Sequence, residues 1–526
     1  MPADYEAIVV GGGHNGLVCA AYLARSGLRT LVLEARDGVG GCASTVAALG
    51  TRVNICNCDH VAVRSLPLAE ELDLAAHGLR YLDLDPAQVL HSWSEGPPAV
   101  LFHDVERTLE SLHVTHPDQV GGYRRYLDDA LPAARLVQEI AMATPTPGAV
   151  ARTVARRRAA GAARLLRWSR RSAAQVLRAY LSSETLLGGA AALGPAIWGV
   201  SPHLKGTGLG ALRLATSHLV KGGRPVGGSG ALVDALRASF EAAGGVTRCA
   251  TPVESLLVEG DAVRGVRARG GEEVLAPTVV VACDPRFAIL EWLGDPPPAA
   301  AASLAERWQA RPRFDGYESK VDAVVDHLPR FTDLDEGVRQ RVGVSEPLVP
   351  TNVLAPTVDA IAAAHRDGMA GRVAREPIML VNVPSVLDPS MAPIGGGHVF
   401  SLEVLFTPYA LPGGWMGSSE PQRWLEAFAA RVGPGFLDGV RDWRAMTPDV
   451  YERELNLPRG YAQSFAGGPL AALLGREPEL SRYRTPVRGL YLTGAATFPG
   501  AGVWGASGRN TAGVVLAERD RSGRAA

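Results

Sequence analysis

The first forty residues alternate between apolar runs and glycine-rich turns. Ala7–Val10 is a short, largely β-branched apolar run, which predicts a strand buried on both faces of a parallel sheet. Glycines cluster at 11–16, and the Ala/Leu-rich residues 17–25 predict a helix that ends near Gly27. Residues 29–34 predict a second strand, so the segment reads as one β-α-β unit.

Two later segments repeat this pattern. A glycine cluster precedes a predicted helix at 231–243, and short strand-like runs separated by turn residues follow at 253–258, 263–268, 273–275 and 278–282. Near the C-terminus, 489–493 predicts a strand, and a glycine-rich loop leads to a predicted helix at 506–518. These patterns predict parts of one α/β domain.

The expected fold class is α/β, with a Rossmann-like domain assembled from discontinuous segments and an inserted mixed α+β domain. The first domain would comprise 1–75, 223–285 and 481–526. The stretches 76–222 and 286–480, where helix and strand patterns are less distinct, would form the inserted substrate domain.

Composition narrows the class of protein. Apolar residues make up 47% and charged residues 20%, an ordinary globular balance, and the net charge of −1 gives no reason to expect a nucleic acid partner. The six cysteines form neither a disulfide framework nor a zinc pattern, so we expect no metal site. No secretory leader or spanning helix is predicted, which favours a cytoplasmic location.

Residues 151–180 carry nine arginines and no acid, interleaved with apolar residues. The pattern predicts a basic amphipathic helix or helix pair. It is consistent with peripheral contact to an anionic membrane or with a solvated lid, and we favour the lid.

The strongest chemical motif is Gly11-x-Gly13-x-x-Gly16, because it follows a predicted strand, opens a helix and has Glu34 at the end of the next strand. Gly11 permits a tight turn, Gly13 allows a diphosphate to approach the backbone, and Gly16 lets helix and strand pack closely. The helix N-terminus favours phosphate, and Glu34 is placed to accept from ribose hydroxyls. A carboxylate there would repel a 2′-phosphate, which makes NADP the least favoured dinucleotide.

After Glu34 come a spacer with Arg36 and then Gly40-Gly41. At this point the sequence resembles the FAD-dependent phytoene desaturase and amine oxidase superfamily, and within it the pyridine nucleotide-disulfide oxidoreductase domain-containing protein 2 type. Three stretches carry the resemblance in order and spacing, at 11–41, 222–236 and 489–516. The resemblance implies noncovalent FAD binding across both ends of the chain.

Carried over position by position, the resemblance implies an ADP and diphosphate site and a flavin site. The residues implied are Gly11, Gly13, Gly16, Glu34, Arg36, Gly40 and Gly41 for the ADP half, Val253 at the adenine, Gly494 at the ribitol or diphosphate, and Trp504, Gly505 and Asn510 at the flavin. Ala495 follows Gly494 where many relatives have an acid, so a side-chain bond to ribitol is not implied here.

Residues 51–60 (TRVNICNCDH) occupy the place where relatives have a strand leading to a glycine beside the flavin. Cys56 stands in place of that glycine, which brings Cys58, Asp59 and His60 into consideration as catalytic residues. His60 has a near-neutral intrinsic pKa and is a candidate proton acceptor. Buried thiols and a satisfied histidine are the simpler interpretation, and we expect structural roles for the isolated polar residues His203, Arg213, His218, His398 and Glu403.

These observations predict a FAD-dependent oxidoreductase, a desaturase or dehydrogenase that removes a hydride from an apolar, natural-product-like substrate. The alternatives are a flavin-dependent isomerase, an amine-type oxidase, and a non-catalytic escort protein like the GDP-dissociation inhibitors. The sequence leaves open the substrate, the electron acceptor and the oligomeric state.

Overall fold

The structure is a computed structural model that describes residues 3–56, 58–94, 96–466 and 468–525. Within these ranges the strands are β1 (Ala7–Val10), β2 (Thr30–Leu33), β3 (Thr45–Ala48), β4 (Thr51–Asn54), β5 (Tyr81–Asp83), β6 (Gln88–Ser92), β7 (Ala99–Leu101), β8 (Gly223–Pro225), β9 (Val246–Arg248), β10 (Val253–Glu259), β11 (Ala262–Ala268), β12 (Glu273–Leu275), β13 (Val279–Val281), β14 (Glu318–Val325), β15 (Asn352–Ala355), β16 (Met379–Asn382), β17 (His398–Leu405), β18 (Val440–Met446) and β19 (Leu490–Leu492).

The α-helices of the same ranges are α1 (His14–Arg25), α2 (Leu68–Glu71), α3 (Val105–Thr115), α4 (Val120–Ala141), α5 (Pro147–Arg156), α6 (Ala162–Trp168), α7 (Ala173–Leu177), α8 (Glu184–Leu193), α9 (Arg213–Leu219), α10 (Gly230–Ala242), α11 (Ala302–Ala310), α12 (Glu336–Val342), α13 (Val358–Met369), α14 (Pro384–Leu387), α15 (Glu420–Ala429), α16 (Pro448–Leu455), α17 (Gly468–Leu474), α18 (Pro478–Ser481) and α19 (Ala506–Ala525).

A five-stranded parallel sheet forms the first structural unit, in the order β19-β13-β1-β2-β9. Its strands come from the two ends and the middle of the chain, and β1 and β2 are fully buried, as their apolar runs predict. The β-α-β unit is confirmed, although α1 begins at His14, three residues before the predicted start, and therefore includes Gly16. Strand β9 was not predicted from the sequence.

A seven-stranded sheet forms the second unit, in the order β18-β14-β17-β16-β15-β6-β7. Its pairs are antiparallel except for the parallel pair β15 and β6. Strands from before and after the central glycine-rich segment therefore share one sheet. The α/β fold class with a Rossmann-like domain and a second mixed unit is confirmed.

Helix α1 packs against α10 and α19, which closes the two ends of the chain on each other. Gly508 of α19 meets α1 so closely that a Cβ atom there would lie 2.2 Å from the Asn15 carbonyl oxygen. Arg509 of α19 adds an ion pair to Glu71 at 2.7 Å. The first and last helices are thus fixed side by side against the parallel sheet.

The basic segment 151–180 forms the end of α5 and the short helices α6 and α7 instead of one helix or a simple pair. Four of its arginines pair with acids, namely Arg156 and Arg157 with Glu139, Arg164 with Asp129 and Arg178 with Asp359. The other five are exposed and make no ion pair with a described residue: Arg152, Arg158, Arg167, Arg170 and Arg171. Among the described helices, we found none with the length and apolar character needed to span a bilayer.

Candidate functional site

One large cavity, with a volume of about 1600 Å³, extends from the carboxyl ends of β1 and β2 to the seven-stranded sheet. It is lined by residues from the N-terminal β-α-β unit, the segment 193–222, the strands β14 and β17, and the loop before α19. A cavity at the carboxyl ends of parallel strands is the usual position of a nucleotide site in such sheets. The residues predicted from the two ends of the chain therefore meet in one place.

The turn between β1 and α1 has the geometry that its glycines predict. Gly11 has φ +104°, a left-handed conformation, and a Cβ atom on Gly16 would lie 2.1 Å from the Gly11 carbonyl oxygen. A Cβ atom on Gly13 would meet no atom within 4 Å, since that position opens into the cavity. Within the described part of the chain, no side chain caps the first turn of α1, and the turn itself contains no acidic residue. The helix N-terminus is accordingly able to bind an anion.

Glu34 is buried at the end of β2, and both of its oxygens accept backbone hydrogen bonds. The Gly12 N–H donates to Oε2 at 2.8 Å, and the Arg36 N–H donates to Oε1 at 2.9 Å. Because each carboxylate oxygen has two acceptor positions, Glu34 keeps capacity for further donors from the cavity. The carboxylate therefore fixes the glycine turn and also faces the cavity.

The second glycine pair lies directly across from the first turn. The Gly40 N–H donates to the Gly12 carbonyl oxygen at 2.8 Å, and Gly40 and Gly41 have φ values of +125° and +54°. The Arg36 guanidinium lines the cavity and contacts only the Ser44 hydroxyl, at 3.4 Å, among described residues. An unpaired cation therefore lies beside the uncapped helix N-terminus.

The loop before α19 forms the wall at the other end of the chain. Gly494, with φ +107°, donates its N–H to Ser507 Oγ at 3.0 Å, and both Gly494 and Trp504 line the cavity. His14 Nε2 lies 3.1 Å from the Gly502 carbonyl oxygen, which connects this loop to the start of α1. Burial lowers the pKa of His14 to about 4, so its imidazole is neutral at physiological pH.

Not every predicted cofactor residue reaches the cavity. Gly16 and Gly505 are packing positions, and a Cβ atom on Gly505 would lie 2.6 Å from Leu68 Cδ1. The Asn510 amide donates to the Ala141 carbonyl oxygen and to Tyr483 Oη, both at 3.1 Å, and does not line the cavity. The predicted residues that do line it are Gly11, Gly13, Glu34, Arg36, Gly40, Gly41, Val253, Gly494 and Trp504.

His60 lines the cavity, yet both of its ring nitrogens are already paired. Nδ1 lies 2.8 Å from Tyr81 Oη, and Nε2 lies 2.9 Å from Ser229 Oγ. Burial lowers the pKa of His60 to about 3, which makes the neutral ring a very weak base. This environment favours the structural interpretation of His60 over a role as proton acceptor.

Asp59 and Cys58 are also held in structural contacts. Asp59 Oδ1 accepts from the fully buried Arg224 guanidinium at 2.6 Å, and Oδ2 accepts from the Thr351 N–H at 2.7 Å. The Cys58 thiol does not line the cavity, and burial raises its pKa to about 12. Neither arrangement supplies a free base or a reactive thiolate.

Two further residues, Glu318 on β14 and Glu403 on β17, line the cavity. The sequence pattern predicts a structural role for Glu403 and singles out no role for Glu318, so it misses both as functional candidates. The Cys56 thiol lies 3.8 Å from Glu318 Oε1, which connects residues 51–60 to this sheet. The signal was present in the sequence of β14, where Glu318, Lys320 and Asp322 alternate with other residues and so share one strand face. The partner strand could not be identified from the sequence.

Of the other isolated polar residues, two make structural pairings, one lines the cavity and one lies away from it. His203 contacts Asp359 at 2.7 Å and His218 contacts Tyr123 Oη at 2.9 Å, which are structural pairings. Arg213 lines the cavity, and its guanidinium makes no hydrogen bond or ion pair with any residue that the structure describes. His398 lies 3.3 Å from Ser385 Oγ, away from the cavity.

Comparison with known proteins agrees with this architecture. Residues 9–65 match the NAD(P)-binding Rossmann-like domain family. The chain is 29% identical to pyridine nucleotide-disulfide oxidoreductase domain-containing protein 2 from Rattus norvegicus, over 98% of this chain and 94% of the relative. It is 27% identical to a zeta-carotene-forming phytoene desaturase from Myxococcus xanthus, over 94% and 90% of the two chains.

Solved structures show the same fold at low sequence identity. A triple mutant of putrescine oxidase superposes with a TM-score of 0.61 at 18% identity and covers 98% of this chain and 99% of its own. The fold, the fingerprint and the full-length similarity agree. The chain is therefore similar over nearly its whole length to pyridine nucleotide-disulfide oxidoreductase domain-containing protein 2 and to a phytoene desaturase, and it shares its fold with putrescine oxidase.

Proposed function

We propose that the protein is a FAD-dependent dehydrogenase or desaturase that oxidises an apolar small molecule. The observation that carries the proposal is the continuity of the cavity, which joins a dinucleotide-type site to a largely apolar compartment. A cofactor held at one end would thus meet a substrate held at the other without leaving the protein.

The residues at the nucleotide end fit the ADP half of FAD. The uncapped N-terminus of α1 and the Arg36 guanidinium suit the diphosphate, and the open position at Gly13 leaves room for it. The spare acceptor capacity of Glu34 suits the ribose hydroxyls, and Val253 borders the same compartment where adenine would lie. Bound FAD would supply the two-electron hydride acceptor that these side chains lack.

The substrate end supports an apolar substrate. Its walls are built mainly from hydrophobic residues of the segment 193–220 and of the strands and loops around 406 and 455–457, including Leu193, Ile197, Leu209, Leu212, Val220, Phe406, Leu455 and Leu457. Such a lining excludes water from a reacting C–H bond. The phytoene desaturase among the relatives supports desaturation as the reaction class.

Oxidation of an amine is a second candidate, favoured by one feature of the same compartment. Glu318 and Glu403 line the wall near Tyr317 and Tyr461, whose rings lie 5.5 Å apart in an edge-to-face arrangement. Carboxylates and aromatic faces both attract an ammonium group. Turnover of an ammonium compound and not of its neutral carbon analogue would select this candidate.

We further propose that the basic segment rests on an anionic membrane surface beside the cavity opening. The cavity residues 204–207 lie next to this segment, since the Gly206 N–H donates to the Arg171 carbonyl oxygen at 3.0 Å. Leu204, Met369 and Phe314 line the cavity and are 57%, 74% and 52% exposed. Exposed apolar residues beside free arginines suit the transfer of a lipophilic molecule from a bilayer. A cytoplasmic location stays a prediction.

The test is the colour and cofactor content of the purified protein. We expect absorption near about 450 nm, released on denaturation and identified as FAD by mass. A colourless protein that FAD cannot reconstitute would reject the proposal and favour an escort role. Mass spectrometry of co-purified small molecules before and after turnover would separate oxidation, with a loss of two hydrogens, from isomerisation, with no change in mass.

A further inference from the structure

The wall of the cavity on the seven-stranded sheet carries two carboxyl groups from neighbouring strands. The register pairs Lys320 with Glu403 and Glu318 with Leu405, so Glu318 and Glu403 project diagonally from one face of the sheet. Both line the cavity, and Glu403 is 6% exposed. Diagonal carboxylates on one sheet face repel each other when both are ionised, and the burial of Glu403 strengthens that repulsion.

The charges around the pair balance only when one carboxyl group of the cluster binds a proton. Asp322, farther along the same face, accepts from Lys320 Nζ at 2.5 Å and from Arg444 at 3.1 Å. Three carboxyl groups therefore face two cations, and a neutral cluster requires one bound proton. In agreement, burial and the neighbouring Glu318 raise the pKa of Glu403 well above its usual range, and burial raises the pKa of Glu318.

The other titratable groups that face the pair hold their protons at physiological pH. Burial raises the pKa of Tyr317 and of Tyr451, and a hydrogen bond with Cys42 and burial raise the pKa of Cys56 well above its usual range. Among the described residues, the other charged groups of this cluster are Lys320, Asp322 and Arg444, which are held in the ion pairs given above. Within this cluster, the glutamate pair is therefore the place where the additional proton is held.

We propose that Glu318 and Glu403 share one proton and form the acid–base pair of the oxidation. The inference rests on the proposed function. Bound FAD would supply the acceptor for the hydride, which is the hydrogen of one substrate C–H bond together with its electron pair. A second bond to hydrogen gives its proton to a carboxylate oxygen of the pair, and its electrons form the new double bond. The pair, then doubly protonated, returns one proton to water after product leaves.

The shared proton is tested first, by infrared spectroscopy of the flavin-loaded protein at neutral pH. We expect the C=O band of a protonated carboxyl that is lost in Glu403→Gln and in Glu318→Gln, since either change leaves equal numbers of carboxylates and cations. The control is Asp315→Asn, another cavity position, whose carboxylate is ion-paired with Arg459. The control keeps the band. A band that survives in both glutamine variants overturns the inference.

The exchange of the proton is tested by the midpoint potential of the bound flavin at several pH values. The negative charge gained on reduction raises the pKa of a nearby pair, so the wild type takes up one proton more than the double variant E318Q/E403Q. The potential of the wild type should therefore fall about twice as steeply with pH. Equal slopes would show that the pair does not exchange a proton with the redox site.

The outcomes separate this inference from the proposed function. A protein without FAD rejects the proposed function, while the infrared band of the flavin-free chain still decides whether the pair holds a proton. A flavin-loaded protein that lacks the band rejects the pair alone. If the double variant does not fold, the single variants still decide the first test, with FAD content and thermal unfolding as checks of their integrity.

Discussion

The two ends of the cavity are built in different ways. At the nucleotide end the backbone forms the site, through the Gly11 turn, the N-terminus of α1 and the carboxylate of Glu34 that fixes them. At the substrate end side chains form the site, through Glu318 and Glu403 on the seven-stranded sheet and Cys56 from a distant segment. The residues of the nucleotide end are brought together by their spacing along the chain, whereas those of the substrate end are brought together by the pairing of distant strands.

This difference indicates where specificity resides. A diphosphate and a ribose are the same in every dinucleotide, so a backbone cradle can serve any enzyme of this architecture. The substrate differs between enzymes, and here the chain places a charged cluster on an otherwise apolar wall. The comparison implies that changes at the nucleotide end affect folding and cofactor binding, whereas changes at the substrate end affect chemistry.

The largest expected effect is on folding stability, and it distinguishes two glycines of the same turn. Gly16→Ala places a methyl group 2.1 Å from the Gly11 carbonyl oxygen, so we expect a loss of about 3 kcal/mol or more of folding stability. Gly13→Ala places its methyl in open cavity space, where it would lower FAD affinity and leave folding intact. Thermal unfolding and flavin titration of both variants measure the two effects. A Gly16→Ala protein as stable as the wild type would contradict this account of the turn.

The sequence predicted the nucleotide end better than the substrate end for the same reason. The strand, glycine turn and helix of the first 41 residues are local, and the structure confirms them within a few residues. Asn510 and Gly505 follow the motif in sequence but pack into the protein, because one turn of helix decides which side chain faces the cavity. Glu318 and Glu403 are 85 positions apart and meet only through strand pairing, which no local pattern specifies.

A smaller effect, on FAD affinity, is expected at Glu34, whose side chain accepts hydrogen bonds from the backbone of the glycine turn. Glu34→Ala removes the acceptor of the Gly12 and Arg36 N–H groups and the proposed ribose partner. Loss of one charge-assisted hydrogen bond to the cofactor costs about 2 kcal/mol, or roughly 30-fold in FAD affinity. Flavin titration of the apoprotein measures it. Glu34→Gln, which keeps one oxygen acceptor, should lose less, and unchanged affinity in both variants would remove Glu34 from the site.

The pH dependence of folding stability tests whether His60 is the buried, neutral ring that its contacts indicate. Its pKa is about 3 when folded and near 6.5 when unfolded, so the unfolded chain binds a proton first as the pH falls. The stability that the neutral ring contributes is present above the unfolded pKa and is lost between the two values, by about 2 kcal/mol at pH 5. His60→Asn should lose less stability between pH 7 and 5 in chemical denaturation. Parallel pH profiles of the two proteins would show that His60 titrates normally.

The smallest effect concerns the surface beside the cavity opening, where the substrate end would meet a membrane. Arg167 is exposed and unpaired among described residues, so Arg167→Gln removes one free charge from the segment. Each such charge contributes about 1 kcal/mol to binding at an anionic surface, which predicts a roughly fivefold weaker association with phosphatidylserine vesicles in sedimentation. Arg264→Gln, on β11, makes the same charge change elsewhere and should leave binding unchanged. Equal losses in both variants would mean that net charge, and not this segment, governs association, and a lid would then be the better description of residues 151–180.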